Sequence, residues 1–190
     1  MTTEEKTILA YVVGVAIGDG NLSNPNGRAT RLRITCDTKY PALVERIRAA
    51  IKVILPKNKV SIVNRAKTYI DISCYSNQWE LLLGWQVGNG SKFDQNVRLP
   101  TWIKADANYS KKCLKGLFET DGCIYRDRSY LMASFTTVIP TLARDVEKII
   151  NSFAFKMCFY EIKTAHKLRY NIRISKNTDQ FLEFFGIKKD

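Results

Sequence analysis

Two stretches of this chain are built alike: Val12-Val13-Gly14-Val15-Ala16-Ile17-Gly18-Asp19-Gly20 and Leu114-Lys115-Gly116-Leu117-Phe118-Glu119-Thr120-Asp121-Gly122. Each is an apolar run with glycine at its third position, and each closes on Asp-Gly. The two aspartates lie 102 positions apart, and the same spacing relates Leu22 to Ile124, Ile70 to Ile172, Ile72-Ser73 to Ile174-Ser175 and Gly84 to Gly186. Thr38-x-x-Pro41-x-Leu43 recurs as Thr137-x-x-Pro140-x-Leu142 at an offset of 99, so the second copy is three residues shorter in an early turn. This is an internal duplication, and it constrains the fold more than any local signal, because both copies must build the same unit.

A carboxylate in the last turn of a helix faces the negative end of the macrodipole, at a cost of about 0.3–1 kcal/mol. The glycine that follows reads as an αL helix stop. One such Asp-Gly is an incidental residue on a capped helix; two at equivalent places call for a chemical reason. Gly14 and Gly18 are four apart, on one helix face, and Gly116 matches the first of them. Small residues at that spacing let backbones approach closely. Two helices packed through these glycines bring Asp19 and Asp121 together at one end. Paired carboxylates that stay ionised need cations, and hard oxygen ligands suit Mg²⁺.

The rest of each copy reads in one order. Thr2-x-x-Glu5 fits a capping box that opens a helix running to the first Asp-Gly. Leu22, Leu32/Ile34/Cys36, Val60/Ile62 and Ile70/Ile72/Cys74 alternate as strands. Between the two pairs, Pro41 to Leu55 is a helix, with Pro in its first turn; Trp79 to Leu83 closes the unit. The second copy repeats this with Ile124, Leu131/Ala133/Phe135, a helix from Pro140 to Phe153, Cys158/Tyr160/Ile162, Ile172/Ile174 and a helix ending at Phe185-Gly186. Each half is therefore αββαββα, with residues 1–85 forming the first, 86–108 a linker and 109–190 the second. Gly88-x-Gly90-Ser91-Lys92 lacks the Walker spacing and follows no strand, so it reads as linker.

Alternation leaves one side of each strand unassigned to the core. In the first half it carries Asn21, Ser23, Arg31, Arg33, Thr35, Asp37, Ser61, Arg65, Tyr69, Asp71 and Ser73. In the second it carries Tyr125, Tyr130, Met132, Ser134, Thr136, Glu161, Lys163, Arg169, Asn171, Arg173 and Ser175. Turns add Asn24, Asn26, Arg28, Asn64, Lys67, Arg126, Arg128, His166 and Lys167. A merely solvated face would be richer in Glu and Lys. This mixture pairs cations for phosphates and guanine with amides and hydroxyls for base edges and tyrosines for stacking. Thirty Lys and Arg against eighteen Asp and Glu give a net charge of +12, which favours a polyanionic partner. A single histidine, His166, excludes a histidine-based metal site. The five cysteines form no CxxC pair. Cys36, Cys74 and Cys158 fall in phase with apolar strand residues, as buried thiols of a reducing compartment would. No signal peptide or apolar run of membrane length is present.

The paired segments resemble the two motifs of single-chain LAGLIDADG homing endonucleases. The second is a close match; the first has valines for leucines and Gly18 for the usual small or acidic residue. Leu99-Pro100-Thr101-Trp102-Ile103 resembles the Pro-aromatic-Ile element that often precedes the second motif in intein-type and free-standing members. The resemblance covers essentially the whole chain. It implies an α+β fold of two pseudo-symmetric αββαββα halves, each an antiparallel saddle-shaped sheet backed by helices, joined at a two-helix interface. It implies metal-dependent hydrolysis of double-stranded DNA, each half cutting one strand across the minor groove and leaving short 3′ overhangs at a long asymmetric target. Asp19 and Asp121 would hold the metal, with Gly18 and Thr120 beside them. Mg²⁺ is the expected ion, and Mn²⁺ or Ca²⁺ fit the same sites. Members commonly place Gln after the second strand of each hairpin to organise water; Cys36 and Phe135 stand there instead. Lys67 and Lys167, near the tips of the second hairpins, are the substitutes. Glu119 has no counterpart at Ile17 and reads as structural.

Two rivals share this scaffold. An RNA-binding maturase would present the same basic face to intron RNA, and a DNA-binding regulator would usually have lost an acid, whereas both acids are intact. Without the His-Asn ending of a splicing intein, the chain reads as a free-standing, intron-encoded monomer. It would act inside the cell, in the cytoplasm or nucleoid or in an organelle matrix, with no membrane partner.

Overall fold

The computed structural model describes residues 1–65, 67–165 and 167–190. The first half runs α1 (Thr3–Asp19), β1 (Gly20–Ser23), β2 (Arg31–Asp37), α2 (Pro41–Ile54), β3 (Val60–Asn64), β4 (Tyr69–Tyr75) and α3 (Trp79–Leu83). The short α4 (Thr101–Lys104) lies in the connecting stretch. The second half repeats the order as α5 (Ala107–Thr120), β5 (Gly122–Asp127), β6 (Tyr130–Thr137), α6 (Pro140–Ser152), β7 (Met157–Lys163), β8 (Leu168–Ile174) and α7 (Thr178–Phe185). Each half holds a four-stranded antiparallel sheet, ordered β1-β2-β4-β3 and β5-β6-β8-β7, backed by helices. His166, counted among the turn residues of the basic face, lies outside the described residues. No helix among the described residues is long and apolar enough to cross a membrane.

α1 opens on the capping box: the Glu5 N–H donates to Thr2 Oγ1 at 3.1 Å and the Thr2 N–H to Glu5 Oε2 at 2.7 Å. From Leu9 to Ile17 every residue of α1 is buried. A helix without a polar face belongs in the middle of a molecule, and α1 lies there, against α5. The glycines set the approach. A Cβ on Gly14 would stand 2.0 Å from the Cys113 carbonyl oxygen, and one on Gly116 would stand 2.3 Å from that of Tyr11. At Gly18 it would meet Thr120 Oγ1 at 2.1 Å. The halves therefore meet backbone to backbone, and the two Asp-Gly ends share one side of the molecule.

The αL stop expected after each aspartate does not form. Gly20 has extended backbone (φ −77°, ψ 144°) and leads straight into β1, as Gly122 leads into β5. Glycine is required there for space: a Cβ would stand 2.4 Å from the Ala16 carbonyl oxygen at Gly20, and 2.4 Å from that of Phe118 at Gly122. The helix-to-strand corner is so tight that each aspartate is the pivot between an element of the seam and the first strand of a sheet.

Register assigns the strand faces. Leu32, Ile34, Cys36, Ile70, Ile72 and Cys74 point into the helices, with Ala133, Phe135, Ile172 and Ile174 in the second half. The opposite face carries Asn21, Ser23, Arg31, Arg33, Thr35, Asp37, Tyr69, Asp71 and Ser73, and then Tyr125, Tyr130, Ser134, Thr136, Arg169, Asn171 and Arg173. β7 has the reverse phase to that expected. Phe159 faces Ile172 and Tyr160 faces Asn171, so Cys158, Tyr160 and Ile162 join the polar face, while Glu161 and Lys163 fall on the helix side. Glu161 is held there by Arg144 of α6 at 3.2 Å, and the same guanidinium lies 4.1 Å over the Phe159 ring. A one-residue phase error turns over a whole strand, and β7 invites it because its outer end is exposed on both sides. Arg126 is likewise a strand residue opposite Leu131, in phase with Ile124, rather than part of the turn. All five cysteines are free thiols.

Candidate active site

α1 and α5 converge at their C-terminal ends, and neither carries a basic residue in its last turn. Asp19 and Asp121 lie there within hydrogen-bonding reach of each other, and Asp121, with Gly18 and Gly20 on either side of Asp19, lines a groove of about 640 Å³. The cations that each helix end lacks arrive from elsewhere in the chain. Lys92 Nζ donates to the carbonyl oxygens of Ala16 (2.9 Å), Ile17 (2.6 Å) and Gly18 (2.8 Å). Lys189 Nζ donates to the carbonyl of Thr120 at 3.0 Å and also to that of Gly122. One ammonium thus caps each helix, in the position where positive charge offsets the dipole.

Crowding sets the protonation of the pair. Burial raises the Asp19 pKa, and the charges of Lys189 and Lys92 oppose it. Burial also raises Asp121, to about 6, helped by the charge of Asp19 beside it and by a hydrogen bond that favours its protonated form. Burial lowers Lys92 to about 8, against the pull of Asp121 and Asp19. A carboxyl whose folded pKa exceeds its unfolded value contributes stability at low pH and loses it as pH rises through the folded pKa. Asp121→Asn is therefore expected to melt above the parent at pH 8, with the gain shrinking below pH 6 and gone only below the ordinary carboxyl value of 3.8. Because the residue as a whole stays open to solvent, which screens its charge, the gain is about 1 kcal/mol or less, or roughly 2–4 °C in Tm. Equal melting of the two proteins at pH 8 would show that the lysines already neutralise the pair.

The groove brings Asp121, Gly18 and Lys92 together with Asn21, Thr136, Lys167 and Arg169 of the sheet faces. Lys167 lines the same groove as Asp121, whereas Lys67 is not among the residues lining it; neither ammonium is hydrogen-bonded at the helix ends, the place expected of both. Lys67 is exposed and its carbonyl accepts a bond from Thr38, while Lys167 Nζ sits 4.1 Å over the Phe93 ring. Among the described residues, the ammonium groups bonded beside the carboxylates are those of Lys92 and Lys189. The need for a cation was legible in two helix-end carboxylates, but its donors were not. Lys92 is eight residues past Gly84 and Lys189 three past Gly186, so the two break the spacing of the repeat. Cys36 and Phe135 are buried under the sheets, away from any water in the groove.

The polar faces flanking the groove are prearranged. Asp71, 4% exposed, accepts from Thr35 Oγ1 at 2.7 Å and Arg65 Nε at 2.8 Å, which makes it a support for those two side chains. Arg31 Nε donates to Ser23 Oγ at 3.2 Å, Asn171 Nδ2 to Thr136 Oγ1 at 2.8 Å and Arg173 Nη2 to Tyr160 Oη at 3.0 Å. Tyr160 was missed from sequence because β7 was given the wrong phase. Arg28 and Arg128 occupy the hairpin loops at the outer rim, Arg128 with φ 55°. Glu119, 1% exposed, faces away from the groove and is bonded to Tyr11 and Lys115.

Residues 108–186 match a family model described as a LAGLIDADG-like domain. The tRNA-splicing ligase RtcB of Methanopyrus kandleri is 24% identical over 206 residues; the match covers 96% of this chain but only 21% of that protein. The chain thus spans about a fifth of the length of the curated relative it matches. Among solved structures, mesophilic variants of the homing endonuclease I-DmoI superpose with a TM-score of 0.71 at 17% identity, over 98% of this chain and 99% of that one. I-DmoI in complex with DNA and Ca gives 0.69 at 18%, over 94% and 87%. Full-length DUF199/WhiA from Thermatoga maritima gives 0.67 at 16%, over all of this chain and 58% of that one. At such identities these structures speak to the fold, and function rests on the site.

Proposed function

We infer that this chain, whose residues 108–186 match a LAGLIDADG-like domain and whose fold is that of I-DmoI, is a two-motif, site-specific DNA endonuclease that makes a metal-dependent double-strand break. The observation that carries this reading is the pair Asp19 and Asp121, abutting at the ends of two seam helices that are each capped by a lysine, with Asp121 lining a groove beside the polar, basic sheet faces. The I-DmoI complex with DNA and Ca supports double-stranded DNA as the substrate class and a divalent ion as the cofactor. In this reading the enzyme is an intracellular monomer. Its long target is asymmetric, because the two faces differ residue by residue, and its cuts fall across the minor groove with short 3′ overhangs.

The residues present fit a hard dication. Two crowded carboxylates, both with raised pKa values, are relieved by positive charge and are oxygen donors of the right kind, whereas the carbonyls of Gly18 and Thr120, also expected beside the metal, already accept from Lys92 and Lys189. No cluster of three or more His, Cys, Asp or Glu forms among the described residues, so two carboxylates are the protein's share and DNA phosphate and water complete the shell. Bound there, Mg²⁺, Mn²⁺ or Ca²⁺ would supply charge at the scissile phosphate, the first two supporting activation of water. Lys92 and Lys189 hold further positive charge at the same spot, and the polar faces fix where along the duplex the phosphates fall. Intact acids favour cleavage over an intron-RNA maturase or a regulator.

Incubation with Mg²⁺ and a plasmid library of candidate sites tests the reading directly. Linear product with defined ends is expected, lost with chelator and restored by metal. Tight binding of a DNA site without cleavage in Mg²⁺ or Mn²⁺, or a preference for structured RNA, would overturn it. Affinity for the site should fall by about 10³–10⁵ between 50 and 200 mM salt, the range expected of a protein that neutralises roughly six to ten phosphates. Arg33→Ala or Arg173→Ala should weaken specific binding by about 1–3 kcal/mol if the guanidinium is bidentate to guanine. Unchanged binding by both variants would remove these two arginines from the recognition face.

A further inference from the structure

Beyond α7 the chain crosses back over the seam as an extended strap, Ile187–Asp190, that touches both halves. Ile187 is buried and its N–H bonds to the Leu182 carbonyl. From there backbone groups of alternate residues face the protein. The Lys188 N–H donates to Glu119 Oε1 at 3.1 Å, the Lys188 carbonyl accepts from Arg46 Nη2 at 2.9 Å, and the Asp190 carbonyl accepts from the Leu43 N–H at 2.9 Å. Arg46 also pairs with Asp190 Oδ1 at 3.2 Å and with Glu119 Oε1 at 3.3 Å. Leu43 and Arg46 belong to α2 of the first half, Glu119 to α5 of the second. The residue between these anchors, Lys189, turns its ammonium to the helix end beside the aspartates.

We propose that Arg46 and Glu119 are positioning residues for the second half-site: they clamp the strap so that Lys189 is held at the carbonyls of Thr120 and Gly122. The catalytic consequence rests on the nuclease reading; the clamp does not. Glu119 thereby gains a role that Ile17, its counterpart in the first motif, does not share. The first half-site takes Lys92 from the connecting stretch, whose turn is tied by its own bonds, Ser91 to Asp94 and Gln95 to Gln86. The two cations are delivered by unrelated means, and only one depends on Arg46.

Amine-labelling of the whole protein, read lysine by lysine by mass spectrometry, tests this without reference to cleavage. In the parent, Lys92 and Lys189 should both react about ten-fold or more slower than exposed Lys57, because their ammonium groups become accessible only on local opening. Arg46→Met should bring Lys189 to the rate of Lys57 and leave Lys92 protected, and Arg46→Lys should restore protection in part. On a DNA site cut by the parent, Arg46→Met and Lys189→Met should slow one strand about ten-fold more than the other, and the double variant should be no worse than either. Lys189 still protected in Arg46→Met, or Lys92 released with it, would overturn the clamp. Lys189 released in a protein whose parent never cuts DNA supports the clamp and removes the nuclease reading.

Discussion

Asp19→Asn and Asp121→Asn are each expected to abolish double-strand cleavage, lowering it by at least about a hundredfold, more than the loss of an outer-shell partner costs a metal site. A neutral amide is a poor ligand for a hard dication, and no third carboxylate clusters with the pair among the described residues. Because the two carboxyls lie within hydrogen-bonding reach, they are close enough to share an ion, and both strands should go uncut in either variant. Fold and site binding should survive, since both groups are exposed and neither supports the core. The assay is the ratio of supercoiled, nicked and linear plasmid in chelator-treated buffer restored with Mg²⁺. Full cutting by both variants would remove the mechanism, and nicking of one strand by a single variant would show that each half-site works alone.

Gly14→Val and Gly116→Val should be the most damaging substitutions to the fold. Even the first carbon of a side chain would stand 2.0 Å from the Cys113 carbonyl oxygen at Gly14, or 2.3 Å from that of Tyr11 at Gly116. The obstacle in each case is backbone of the opposite helix, which cannot rotate away, so α1 and α5 must separate. Overpacking of this kind costs about 3–5 kcal/mol, a large share of a normal domain's stability. A fall in Tm of roughly 10 °C or more, or failure to fold, is expected. A variant that melts within a few degrees of the parent would show that the seam has slack the present packing lacks.

These two results test the parts of the molecule that were legible in sequence. The duplication fixed two copies of one unit, and the glycine spacing placed the two Asp-Gly ends side by side. Both follow from short-range pattern: helix period, strand alternation and the demand of close packing for glycine. What sequence did not yield depends on longer range. Lys92 and Lys189 reach the aspartates from the stretch after α3 and from the strap, and nothing local to either lysine says where its chain segment will dock. β7 was assigned backwards because Tyr160 and Ile162 are as apolar as core residues, whereas its true core anchors are Met157 and Phe159, paired with Ile174 and Ile172. Lys67 and Lys167 were chosen by analogy with positions near a hairpin tip. Lys167 does line the groove with Asp121, but its ammonium lies over the Phe93 ring, and the ammonium groups bonded at the helix ends come from Lys92 and Lys189.

The way Lys189 reaches its site also has a consequence in time. During synthesis Asp19 is made first, Asp121 a hundred and two residues later, and Lys189 sixty-eight after that. At about 5–20 residues per second, roughly 3–14 s separate the second acid from its cation. Throughout that interval the nascent chain holds both carboxylates but lacks the strap that bridges α2 and α5. On the nuclease reading, the cutting centre would thus be completed only after both sheets have been made.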